Sequence, residues 1–447
     1  MTIREAGAAL RAREISCAEL TERCLGQIAK LNPRLNAFVT VTADSARAHA
    51  RELDRELASG TGRGPLHGIP IAHKDILWTK GVRTTSGSKI FANFVPSADA
   101  AVVAKLHAAG AVTIGKTGLH ELAYGITSDN PHFGTIHNPC NPEHSPGGSS
   151  GGSAVAVASE MVCMATGTDT GGSIRIPAAF CGITGLKPTY GLIDRAGVQP
   201  LGLSLDHVGP LARTVDDVRL SFYAMAAGAE ALPGKAPRKP APARLQDVRI
   251  GLPENFYFDE VAPGVKAAVE RAARRAEQLG ARVIPIRVPD IQTLNAIGLT
   301  ILLAEASAVH EPHLARREDF GSDVLALLDQ GRLVPATDYV NAQRLRKRFC
   351  SEFHALFRTV DCLFTPAVPI PAPRIGGSEV TLDGRVYNVR MVITRFARAF
   401  NVLGFPALAL PCGRSSGGLP IGLQIAARPF EEELLLLLGE ALEEPDV

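Results

Sequence analysis

Excess charge of either sign is missing from this sequence: 47 Lys and Arg stand against 45 Asp and Glu over 447 residues, a formal balance of +2. A protein built to hold nucleic acid or an anionic membrane carries a net basic excess or long basic runs. The one short basic run, Arg344 to Arg348, reads as a solvated helix face, so neither partner is expected. Clustered cysteine is also missing. The eight cysteines are scattered, with no C-x-x-C pair, which argues against a disulfide framework and for reduced thiols in the cytoplasm. The N-terminal MTIREAG lacks a basic-then-apolar export pattern, and wholly apolar stretches fall well short of the roughly 20 residues of a spanning helix. No export and no membrane insertion are expected.

What is present is the patterning of a globular chain. Ser16 and Glu19 have capping-box spacing ahead of Leu20, Cys24, Leu25 and Ile28, so the spacing predicts an amphipathic helix over 17–30, with a second over 43–57. Gly68 to Ala72 then reads as a buried strand, Ser97 as the cap of a helix through Ala109, Gly110 as its terminator and Ala111 to Ile114 as the next strand. The same rhythm returns at Val248–Leu252, Val265–Leu279 and Arg282–Ile286, after a Pro- and charge-rich connector at 233–244. The C-terminal third is mostly helical by period, with an apolar run at Phe405–Leu410 and a closing helix at Glu431–Leu442. Strands alternating with helices predict an α/β fold: a mixed, mostly parallel sheet covered by helices on both faces. Its parts are N-terminal helices at 1–60, a core at 64–217, the connector, and a C-terminal part at 245–447.

Two weak motifs are set aside. Gly110 to Thr117 fits G-x-x-x-x-G-K-[ST], but its variable residues form a β-prone Ala-Val-Thr-Ile run rather than a phosphate-cradling loop. His137, Cys140 and His144 supply metal-ligand types without a fourth ligand and read as loop residues.

Three other segments do point to chemistry. Residues 125–192 hold six charged side chains amid Gly, Ser and Pro. Within them, Pro146 to Ser153 reads PGGSSGGS and runs straight into the apolar Ala154–Ala158, which a flexible linker has no reason to carry. Gly147 to Gly151 also fits the G-x-S-x-G nucleophile elbow, yet no histidine lies after His354 to serve as its base. Gly167 to Pro177 reads GTDTGGSIRIP. Two glycines before Ser173 leave consecutive N–H groups unobstructed, which is how a backbone oxyanion hole is made beside a nucleophile. His73-Lys74-Asp75 ends a buried strand, and a buried lysine can act as base for serine. To be neutral near pH 7 its pKa must fall by about three from roughly 10.4, a differential cost of about 4 kcal/mol that burial can supply.

Together Lys74, the Gly147–Ser153 loop and the Gly167–Pro177 stretch resemble the amidase signature family, whose members hydrolyse amides through a Ser-Ser-Lys triad. The likeness runs from GPLHGIPIAHKD (64–75) through NPHFGTIHNP (130–139), the two Gly/Ser stretches and LDHVGPLARTVDD (205–217). It continues more weakly in NVLGFPALALPCG (401–413) and LPIGLQI (419–425). The resemblance implies a single large amidase domain. It implies Ser173 as acyl-accepting nucleophile, Ser149 as bridging serine on a cis peptide bond, and Lys74 as base. It also implies an oxyanion hole of the Thr170, Gly171, Gly172 and Ser173 amides, support from Ser150, Asp169 and Arg175, and an acyl cavity lined by Ala123, Tyr124, Ile126 and Thr127.

The activity implied is hydrolysis of a small carboxylic amide to acid and amine or ammonia, with possible ester cleavage and no metal or organic cofactor. A homodimer is left open. Inside the family the alternative is the glutaminase (GatA-type) component of the tRNA-dependent amidotransferase; His120-Glu121-Leu122-Ala123-Tyr124-Gly125 departs from the D-E-F-A-M-G string usual there. A remote alternative is a nucleotide-binding protein using Gly110–Thr117.

Overall fold

The chain begins with two helices started by reciprocal caps. Thr2 and Glu5 close one box ahead of Ile3–Ala12, and Ser16 and Glu19 close the expected one ahead of Cys17–Leu35. The computed structural model describes residues 1–226 and 245–443; the 233–244 connector lies outside the described residues. The strands are β1 (Phe38–Val41), β2 (Pro70–Lys74), β3 (Val112–Thr117), β4 (Met164–Asp169), β5 (Thr184–Lys187), β6 (His207–Ala212), β7 (Arg249–Pro253), β8 (Arg282–Ile286), β9 (Cys362–Pro366), β10 (Glu379–Leu382), β11 (Arg385–Asn388), β12 (Ala407–Arg414) and β13 (Pro420–Ala427). All but the β10–β11 hairpin join one mixed sheet in the order β1-β3-β2-β4-β6-β5-β12-β13-β9-β7-β8.

The parallel pairings fall where the β-α-β rhythm predicts them: β2 with β3 and β4 on one flank, β7 with β8 and β9 on the other. The strands between are antiparallel. One sheet therefore spans both sides of the connector, and β12 and β13, from the end of the chain, pair beside β5 from the signature stretch.

Two expectations need correction. The helix before β3 is Ala101–Ala108, with Ala100 at its N-cap and no side-chain cap, so Ser97 does not start it. Gly110 does follow its end, at φ +81°. The helix Ile291–His310, with the 3₁₀ turn that extends it to Asp319, is long and apolar enough to cross a membrane by length and composition alone. Here it packs against the helices Ser322–Arg332, Ala336–Leu356 and Arg398–Leu403, with Glu305 and His310 buried. That is how a core helix behaves.

For the site, the useful register is at the centre of the parallel flank. β2 and β4 run side by side with His73 opposite Thr166, so both strands deliver their last residues, Lys74 and Asp169, to one edge. The antiparallel β6 brings His207 opposite Asp169.

Candidate active site

Lys74 closes β2 with a fully buried side chain, and its Nζ donates to Ser149 Oγ at 2.7 Å and to Thr168 Oγ1 at 2.7 Å. Burial drives its pKa down to about 7, while Asp169 and Asp206 pull weakly the other way. The neighbouring Asp75 is not its partner. Asp75 faces Lys116 at 3.4 Å and accepts from Thr85, which leaves Lys74 with hydroxyls alone.

The Gly/Ser loop presents Ser149 at the end of a tight crossing. The Gly148–Ser149 peptide bond is cis. The loop is tied down by Ser128, whose Oγ donates to the Gly147 carbonyl at 2.8 Å and accepts from the Gly151 amide at 3.2 Å. The helix Gly151–Ala158 begins directly after, its small residues packed under the sheet. No strand leads into Ser149, so this is not the strand-turn-helix elbow that G-x-S-x-G would require. Ser150 couples the loop to the next one: its Oγ donates to Thr168 O at 3.2 Å, and its amide donates to the Ser173 carbonyl at 3.3 Å.

Ser173 lies at the turn between β4 and the helix Arg175–Cys181, 6% exposed. Asp169 and Arg175 hold this turn in place. The Asp169 carboxylate accepts from the Gly172 amide (2.8 Å), the Ile174 amide (3.1 Å) and both edges of the Arg175 guanidinium (2.9 and 3.0 Å). Burial would raise its pKa, but Arg175 outweighs burial and, with Lys187 and Asn401, holds it well below the usual carboxylate range. Arg175 reaches on to Ala397 O (2.9 Å), Gln424 Oε1 (2.6 Å) and Asn401 Oδ1 (2.7 Å), and Asn401 Nδ2 donates to Asp169 Oδ1 at 2.8 Å.

One expectation changes here: the Gly172 amide is taken by Asp169, so among the described residues the amides left without a protein acceptor are those of Thr170, Gly171 and Ser173. Gly172 has a different reason to be glycine. Its φ is +121°, and a Cβ there would stand 2.7 Å from that of Ala397.

The Ala123–Thr127 segment also reaches this region, but not as one wall. Ala123 lines a cavity of about 340 Å³ together with Ile76, Thr168, Thr170 and Asp206. Tyr124 and Ile126 are buried, and Thr127 is bound through its carbonyl to Ser145 Oγ at 2.8 Å.

The motifs set aside behave as ordinary structure. Gly110–Thr117 spans a turn and β3, with Lys116 Nζ buried on Leu77 O and Thr84 Oγ1, each at 2.7 Å. That leaves no phosphate cradle. His137 Nδ1 binds its own loop at Pro142 O, 2.8 Å away, and no cluster of three metal-ligand side chains occurs among the described residues. Thr168, Asn401 and Gln424 carry no role that the sequence alone singles out. The only signal for the last two is an amide side chain inside each of the apolar strings 401–413 and 419–425.

Comparison with known proteins settles the family. The Amidase family model matches residues 19–436. The chain belongs to the amidase signature family. It is 40% identical to an amidase of Pseudomonas putida over 99% of this chain and 95% of that one. It is also 38% identical to the GatA-type component of the Glutamyl-tRNA(Gln) amidotransferase of Geotalea daltonii (strain DSM 22248 / JCM 15807 / FRC-32), over 99% of this chain and 97% of that one. A solved amidase structure superposes with a TM-score of 0.92 at 35% identity, covering 99% of each chain. This member of the amidase family is accordingly a hydrolase of amide carbon–nitrogen bonds.

Proposed function

We propose that the chain is a free-standing amidase that cleaves a small carboxylic amide to acid and amine or ammonia through an acyl-enzyme on Ser173. The observation that carries this reading is the 2.7 Å contact between Lys74 Nζ and Ser149 Oγ, made by a lysine whose pKa burial has lowered to about 7. In the cycle, neutral Lys74 accepts the Ser149 hydroxyl proton while Ser149 takes that of Ser173, and Ser173 Oγ bonds to the amide carbon. The oxyanion so formed is met by the amides of Thr170, Gly171 and Ser173, donors worth about 3 to 4 kcal/mol each when removed from such sites. Collapse breaks the C–N bond, and the proton held on Lys74 returns through Ser149 to the leaving nitrogen. Water then repeats the relay on the ester. Ser150, Asp169 and Arg175 are positioning residues in this scheme, and Ala123, Tyr124, Ile126 and Thr127 belong to the substrate side.

The reading needs no metal, organic cofactor, nucleic acid or membrane surface, and it is compatible with a homodimer. A cytoplasmic location goes with it, supported by eight cysteines that form no disulfide. The second reading, the glutaminase component of a tRNA-dependent amidotransferase, rests on the 38% identity to that protein. Assay of the isolated chain separates the two. Hydrolysis of simple amides, an acyl-enzyme mass on residue 173 and loss of both in Ser173→Ala are expected; turnover that appears only with added partner proteins overturns the free-standing reading.

A further inference from the structure

Three arginines are buried among the described residues: Arg175, Arg219 and Arg398. The first two face carboxylates, Asp169 at 2.9 Å and Glu440 at 2.9 Å. Arg398, 6% exposed, does not. Its Nη2 donates to the Thr394 hydroxyl at 2.7 Å and its buried Nε has no partner. The groups that act on it electrostatically are another cation, Arg390, and the phenol of Tyr124. A guanidinium cannot shed its proton to escape this situation, and buried cations are ordinarily paired. Burial with no counter-charge lowers its pKa to about 10.

The position of this cation is informative. Arg398 Nε is the one atom within 4 Å of the point where a Cβ on Gly171 would stand, at 3.9 Å, so the space over the Gly171 amide is otherwise open and Arg398 bounds it. The Tyr124 hydroxyl is likewise buried without a partner. Arg390 lies across the Tyr124 ring, 5.4 Å from its centroid, and donates to the Tyr124 carbonyl at 3.1 Å. Two unsatisfied donors and two guanidiniums thus gather beside Gly171, which flanks the turn that carries Ser173. An anionic group with two acceptor oxygens would satisfy both donors and supply the absent charge.

We propose that Arg398 is the specificity-determining residue of this site and that it selects amides bearing a carboxylate a few bonds from the scissile carbonyl, with the Tyr124 hydroxyl as second donor. The inference rests on the amidase reading of Ser173 and narrows its substrate class.

The test compares kcat/KM for succinamate and glutaramate, which carry the carboxylate on the acyl side, with that for the neutral butyramide and valeramide. N-butyrylglycine against N-propylbutyramide asks the same question of the amine side. In the unaltered enzyme the carboxylated member of at least one pair is expected to be favoured on the order of 100-fold, the scale of a buried charge-assisted contact. In Arg398→Gln that preference should collapse to a few-fold, and Arg398→Lys should recover part of it. Tyr124→Phe gives an independent, smaller loss should Arg398→Gln fail to fold. A preference near one in the unaltered enzyme, or one unmoved by Arg398→Gln, overturns the proposal.

Calorimetry with succinate distinguishes failure of this inference from failure of the amidase reading. If no amide of either kind is turned over, the amidase reading fails. The anion site then stands if succinate binds the unaltered chain at least tenfold tighter than Arg398→Gln, and falls if the two bind alike.

Discussion

Thr168 Oγ1 accepts a 2.7 Å hydrogen bond from Lys74 Nζ, at the same distance as Ser149 Oγ. The lysine is therefore shared between a hydroxyl proposed to relay a proton and one that has nowhere to send it. Both contacts favour the charged amine, whereas burial opposes it more strongly, and the outcome is a pKa of about 7.

Because only neutral Lys74 can accept a proton, kcat/KM is expected to rise about tenfold per pH unit below 7 and to level above it. Lys74→Arg, which keeps its proton throughout this range, should abolish the limb and lower kcat on the order of 10³-fold. A pH–rate profile measured from 5 to 9 checks this; a flat profile refutes Lys74 as base.

Thr168→Val removes an acceptor from the ammonium form and leaves Ser149 in place. The charged state loses more than the neutral one, so the midpoint of the acid limb should move below 7. A merely structural role for Thr168 would lower kcat with the midpoint unmoved, so the position of the limb is the discriminating measurement.

Arg175→Met strips Asp169 of its bidentate partner inside the core, with an expected loss of about 3 to 5 kcal/mol at neutral pH, read from urea midpoints. The sign of the pH effect follows from the depressed carboxylate. In the unaltered protein Asp169 contributes stability above its ordinary pKa of 3.8, and this is lost as pH falls through the lower folded value. Without Arg175, burial raises that pKa, so acid unfolding should begin at higher pH than in the unaltered protein.

Much of this was legible in local strings. The capping box at Ser16, the glycine at 110 and the β-α-β spacing on both flanks are effects of near neighbours, and the structure keeps them. Lys74, Ser149 and Ser173 each sit in a distinctive short motif. The middle of the sheet was harder to read. β4, β5 and β9 are buried along their whole length, so no polar–apolar alternation marks them, and MATGTD resembles a turn more than a strand. The roles of Asn401, Gln424 and Arg398 arise from a strand order that sets β12 and β13 beside β5, joining residues more than 200 positions apart. No local pattern encodes that meeting. The commitment of the Gly172 amide to Asp169 was invisible for a related reason, since a free and a bound N–H are the same letter.

The six-residue helix Arg398–Leu403 has a consequence for how such an enzyme diversifies. Asn401, which steadies Asp169, and Arg398, which bounds the space over Gly171, stand three positions apart on it. Anchor and selector share a single turn but do not share contacts. Position 398 is thus open to exchange, in a gene library or in a lineage, while position 401 is held fixed by the turn it braces. A change of preferred amide would then take one codon and leave the hydrolytic apparatus where it is.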